Sequence, residues 1–207
     1  YDVSNAGYYD SFKSKFNTKR DILDIVPIDT TELSGSLLGY SGMAADNIGL
    51  VDTAEGTDLT ISSTGFRCDG KMIAFINGNL IIDGKITNQN LNKDACIFVV
   101  KQDVTINEDG LSSSGSDMQY DEINGYIFAD GAMNIAQESG DPVAFDGLYV
   151  SGGLHSLAGF SIERYLRSAD RLLYPVFVVN HHSKYGVFAE KLFGTANLVQ
   201  RIEVSAR

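Results

Sequence analysis

Four stretches in the middle of the chain share one pattern: a β-rich apolar run, a polar or glycine corner, then a short run of apolar-x-apolar form. They are Ile73–Ile82, Cys96–Ile106, Tyr126–Ile135 and Val143–Val150. Each such unit carries an apolar inward row that it cannot bury alone, so the stable arrangement stacks successive units on one another. Taking Leu80, Val104, Met133 and Leu148 as equivalent gives offsets of 24, 29 and 15 residues. A period this uneven fits a β-solenoid whose corner loops vary, the polar insertion from Asn107 to Asn124 being one of them. It also fits a β-sandwich, in which turns recur every 8–12 residues or so.

Two features favour the solenoid. The corner pairs Gly78-Asn79, Gln102-Asp103, Asp130-Gly131 and Asp146-Gly147 recur at matching places. The first run of each unit is also apolar almost without a break, as in parallel strands buried on both faces. With 21 glycines against 3 prolines, many turns join many strands. The expected fold is therefore mainly β: an irregular single-stranded parallel β-solenoid (β-helix) with short helices at its N- and C-terminal flanks.

Exposed strand edges at the first and last laps invite pairing with other chains, so both flanks are expected to act as caps. Tyr8, Tyr9, Phe12 and Phe16 recur at helical spacing ahead of a polar stop. Tyr185, Phe188, Ala189, Leu192 and Phe193 do the same, with Ser183 as the expected N-cap and Gly194 as the stop. A final strand is expected over Leu198–Val204. The organisation expected is an N-terminal cap over 1–70, a solenoid core over 71–166 and a C-terminal strand-helix-strand cap over 167–207, all in one continuous domain.

The net charge of -11, from 16 basic and 27 acidic residues, opposes nucleic-acid backbones and anionic lipid surfaces. No apolar run approaches the roughly 20 residues of a membrane-spanning helix. The start at Tyr1, with no Met, reads as a mature, processed or trimmed product. Cys68 and Cys96 make one disulfide possible, but two buried free thiols are the favoured expectation. If Leu80 and Val104 stack, Cys96 falls over Met72, and a bridge to Cys68 would need a bulge or another register.

Candidate chemistry centres on the corner carboxylates. Asp83, Asp103, Asp130 and Asp146 could collect Ca2+ weakly, or serve as acid and base in a polysaccharide hydrolase or lyase. Turn chemistry is the preferred reading, because Asp hydrogen-bonds its own backbone at corners. Lys85 and Lys101 are the only cations the repeats offer to stabilise a developing anion, which argues against a lyase. His181 and His182 adjoin on an expected strand, point to opposite sides, and read as strand-end histidines bonded to a backbone carbonyl. His155 with Ser151, Ser156 and Asp146 could be drawn as a triad, but no nucleophile elbow is present. The glycines of Gly147–Gly153 lack the Lys and helix of a phosphate loop. Tyr120, Tyr126, Tyr149 and Tyr165 suggest a sugar-stacking strip or half-buried strand positions. The segment Glu163–Arg167 with Arg171 is the single basic cluster.

Taken together, Tyr8–Phe12, Gly78–Asp83, Asp103–Ile106, Gly125–Gly131, Gly147–Gly152, Phe160–Arg164 and Glu203–Ala206 resemble a group of uncharacterised secreted surface proteins of ultra-small, host-dependent candidate-phylum bacteria. The chain departs from that pattern at His181-His182-Ser183, where an acidic or Tyr-Pro turn is expected. The resemblance brings no catalytic residues. It implies a β-solenoid at the cell exterior with a structural or adhesive role. The expected function is a non-enzymatic extracellular structural protein, contributing to a surface layer, appendage or adhesive assembly through self-assembly or other surface proteins. The alternative is a carbohydrate-binding or carbohydrate-active β-helix that meets glycans through its corner aspartates and tyrosines. A virion or appendage subunit is a third reading of the same glycine-rich, Trp-free composition. No catalytic residue and no cofactor is assigned, Ca2+ apart.

Overall fold

The computed structural model describes residues 7–44, 46–90, 92–107, 120–135, 147–163 and 177–194. The strands wind into a parallel β-solenoid with three walls. The first wall holds β1 (Ile25–Pro27), β3 (Ile48–Asp52), β5 (Lys71–Ile76), β8 (Ala95–Val100) and the second halves of β10 (Tyr120–Ala129) and β12 (Gly147–Ser156). On the second lie the starts of β2 (Glu32–Ser36) and β4 (Leu59–Cys68), then β6 (Leu80–Ile82), β9 (Val104–Ile106), β11 (Met133–Ile135) and β13 (Phe160–Ile162). The third carries the ends of β2 and β4, β7 (Ile86–Asn88), the starts of β10 and β12, and β14 (Phe177–Asn180).

Register on the second wall runs Leu80 opposite Val104, Val104 opposite Met133, and Met133 opposite Phe160. Three of the four positions expected to be equivalent therefore share one row. Leu148 is the exception: it lies on the third wall, opposite Asp121 and Phe177. Every wall shows the same period-2 alternation, so an apolar-x-apolar triplet does not reveal which wall it occupies. Val143–Phe145 of the fourth expected unit lie outside the described residues. From β5 onward, three residues always join the first wall to the second: 77–79, 101–103, 130–132 and 157–159. The uneven period arises at the next corner, which is Asp83–Lys85 after β6 but much longer after β9, β11 and β13.

The interior is a continuous apolar column. Leu80, Val104 and Met133 are fully buried, as are Met72, Cys96 and Phe98. At the N-terminal end Ile28, Leu33 and Leu37 complete this column, with Tyr40 and Met43 packed against it.

A second core lies outside the first wall. Its outward residues Ile73, Phe75, Ile97, Val99, Tyr126 and Phe128 are covered by α1 (Tyr8–Lys19) and α2 (Ser183–Phe193). Phe12 of α1 stacks on Phe193 of α2, ring centroids 4.5 Å apart, and meets Phe128 edge-on at 5.0 Å. Lys19 Nζ donates to the carbonyls of Glu190 and Lys191 at the end of α2, both at 3.4 Å. Double-sided burial explains the unbroken apolar runs, since each large side chain removed from water contributes about 1.5–3 kcal/mol. The helices thus cover a side of the prism, whereas the sequence reading placed them as end caps. Helical spacing shows that a helix has an apolar face, not which surface that face covers. The α2 residues expected to be buried are buried, and the helix stops at Gly194, whose φ is 78°. Its N-cap is His182, one residue before the expected Ser183. The strand expected over Leu198–Val204 lies outside the described residues.

Candidate functional site

The corner between the first and second walls holds a ladder of polar side chains. Asn79 N and Nδ2 both donate to Asp58 Oδ1, at 2.7 and 3.0 Å. Asp103 N donates to Asn79 Oδ1 at 3.1 Å, and Ala132 N donates to Asp103 Oδ1 at 2.8 Å. Each side-chain oxygen accepts the main-chain N–H of the following lap. Gly131 belongs to this arrangement through close approach: a Cβ there would lie 2.3 Å from Asp103 Oδ1 and 2.6 Å from the Gln102 carbonyl.

Of the expected calcium ligands, the three among the described residues, Asp83, Asp103 and Asp130, are not brought together. Asp103 serves the ladder. Asp130, two residues earlier in the corner register, turns toward α1, and its two carboxylate oxygens accept from Tyr8 N at 2.5 Å and Tyr9 N at 3.3 Å. It thereby caps a helix that has no side-chain cap of its own. Burial pushes the Asp130 carboxyl above its ordinary range, against the two main-chain donors that lower it. Asp83 sits at a different corner, between the second and third walls, and accepts from Asn107 Nδ2 at 2.6 Å. Asp146 lies outside the described residues. Among the described residues no three His, Cys, Asp or Glu side chains are grouped so as to hold a metal ion.

Cys68 and Cys96 are joined in a disulfide, with Cα atoms 6.2 Å apart, and both are fully buried. The expected free thiols are therefore absent. Cys96 does stand opposite Met72, as the 24-residue offset requires. Cys68 ends β4 on the third wall, opposite Asn88. The bridge crosses the inside of the corner between the third and first walls and ties one lap to the next. It needs no bulge, because register constrains partners along one wall and not across a corner.

A cluster of aromatic and titratable groups sits where α2 meets the first wall. The Tyr126 hydroxyl is hydrogen-bonded to His181 Nδ1. His155 stacks on Phe128, with centroids 4.8 Å apart and planes at 13°, and its ring centroid is 5.5 Å from that of Tyr126. Tyr185 lies 5.1 Å from Tyr126. Asn88 presents its amide oxygen to the Tyr185 hydroxyl at 3.3 Å and to Lys184 Nζ at 2.7 Å. Burial pushes the Tyr126 phenol up to about 12 and raises that of Tyr185. Burial, then the neighbouring His181, lowers the pKa of His155.

This cluster replaces several expectations. His181 bonds a tyrosine hydroxyl, not a backbone carbonyl, while His182 serves as the N-cap residue of α2. Ser151 is buried on the third wall, whereas Ser156 Oγ lies 2.7 Å from Gly131 O and accepts from Gly159 N at 2.9 Å, so neither completes a triad with His155. The tyrosines among the described residues form no common strip: Tyr126 is buried under α2, and Tyr149 on the third wall accepts from Asn180 Nδ2 at 3.0 Å. Tyr120 is half-buried at the start of β10. Tyr165 lies outside the described residues, as do Arg164–Arg167 and Arg171 of the basic cluster. Gly152, φ 148°, turns the corner within β12, where a Cβ would lie 2.0 Å from Gly125 O. Two things escaped the sequence reading: the helix-capping role of Asp130, and the membership of Asp58 in the ladder. The second had a signal, since Asp58, Asn79 and Asp103 are spaced by 21 and 24 residues.

These features define a parallel β-solenoid with a helix-covered side wall. No protein-family model matches the chain, and comparisons with curated proteins and with solved structures find no match.

Proposed function

We propose that the chain is a non-enzymatic structural protein of the cell exterior, a solenoid building block of a surface layer, appendage or adhesive assembly. The observation that carries this reading is the buried Cys68–Cys96 bridge between successive laps. Disulfides persist in oxidising surroundings and are rare where thiols are kept reduced. Hydrogen bonding supports it too: Asp103, Asp130 and Asp83, the side chains best placed for chemistry, are engaged in holding corners and a helix. The resemblance to secreted surface proteins points the same way.

The mechanism is pairing between subunits through solenoid edges and faces. Electron microscopy of the purified protein, with and without Ca2+, tests it. Ordered assemblies are the expected result; strictly monomeric particles at high concentration in both conditions overturn it. Specific retention on a glycan array, or release of reducing sugar, would transfer the chain to the carbohydrate-directed class.

A further inference from the structure

The two ends of the solenoid are finished differently. At the N-terminal end Ile28, Leu33 and Leu37 are buried, β1 contains Pro27 with no N–H to offer, and the pairing of β2 with β4 shifts register between Leu33 and Gly35. Proline and bulges are the usual means of blunting a strand edge. At the other end three interior rows emerge into solvent. Leu80, Val104 and Met133 are fully buried, but the next residue in that row, Phe160, is 49 % exposed. Ile135 is followed by Ile162 at 48 %, and Val150 by Val179 at 46 %.

We infer that the β13 end is an interface for a second copy of this chain, joined end to end about a two-fold axis with β13 antiparallel to β13. This rests on the structural reading above and names the partner. The interface would continue the lap-to-lap contact already made along the second wall. Gly159 O and Glu163 N bond to β11, so by the alternation of parallel pairing the main-chain groups of Phe160 and Ile162 face the edge that no described strand pairs.

The strand is self-complementary about Ser161. With Ser161 opposite Ser161 of the partner subunit, Phe160 stands opposite Ile162 of the partner subunit, both on the interior side. The same edge groups then exchange hydrogen bonds in both pairs. Glu163 falls opposite Gly159 of the partner subunit, so the two carboxylates lie at opposite ends of the strand pair. Head-to-tail stacking has no such match, because the N-terminal end is filled and its edge is blunted. The assembly at this surface therefore closes as a dimer.

Ser161→Cys tests the geometry. Both native cysteines are already bridged, so the added thiol is the only free one, and facing strand residues come close enough for a disulfide. Mild oxidation is expected to give a covalent dimer from S161C and none from S34C, whose residue lies on β2 at the opposite end. In sedimentation, Phe160→Lys is expected to weaken dimerisation about a hundredfold or more, while Ile22→Lys, at a site 82 % exposed, leaves it unchanged. Wild-type protein that stays monomeric, or amides of Phe160 and Ile162 whose exchange ignores protein concentration, would overturn the inference and show cover by another part of the same chain. Assemblies that form normally in F160K would overturn it while leaving the structural reading intact. Monomers in sedimentation and microscopy alike would remove both.

Discussion

The carboxylate of Asp130 accepts the main-chain N–H of Tyr8, 122 residues earlier in the chain, and that contact fixes the start of α1 on the solenoid. The helix is therefore capped by the surface it covers. Asp130→Ala should lower stability to urea unfolding by about 0.5–2 kcal/mol. Hydrogen exchange should show the loss concentrated in α1, with β8 and β9 unaffected; a uniform loss along the chain would contradict the capping role.

Along the corner ladder, acceptor geometry matters more than charge. Asn79 and Asp103 do the same work in neighbouring laps, so Asp103→Asn should leave the melting temperature nearly unchanged. Asp103→Ala should cost about 0.5–1 kcal/mol by leaving the Ala132 N–H without its acceptor. Gly131→Ala is expected to be worse than either, by about 1–3 kcal/mol, because its methyl group would enter the Asp103 carboxylate and the Gln102 backbone. Thermal melts of the three variants rank them directly.

Joining residues 28 apart in sequence, the disulfide restricts the unfolded chain. Replacing both cysteines by Ala should destabilise by about 2–5 kcal/mol. Intact-mass measurement should show no alkylation of the denatured, unreduced protein and two additions after reduction. Two additions without reduction would remove the bridge and weaken the exterior assignment with it.

His155 makes the α2 junction sensitive to acid. Its pKa is lowered in the folded state, so folding favours the neutral ring. The corresponding stability is present above its unfolded value of about 6.5 and declines as pH falls below that point. Between pH 7 and 5 the wild type should lose stability faster than His155→Phe, which keeps the stack on Phe128 without a titrating ring. Parallel pH slopes in urea unfolding would show that His155 titrates as it does in the unfolded chain.

The β-solenoid class, the amphipathic character of both helices and the 24-residue stacking of Leu80 on Val104 were legible in the amino-acid order, because each depends on local alternation or on spacing along the chain. Four matters were settled only in three dimensions. Leu148 went to the third wall, since period-2 alternation is the same on every wall. The helices went to the side of the first wall, since the outward row of Ile73, Phe75, Ile97 and Val99 had to leave water and only packing pairs one apolar face with another. Cys68 met Cys96 across a corner, and Asp130 met Tyr8 across 122 residues, because a closed lap brings together groups whose separation in sequence carries no trace of their proximity.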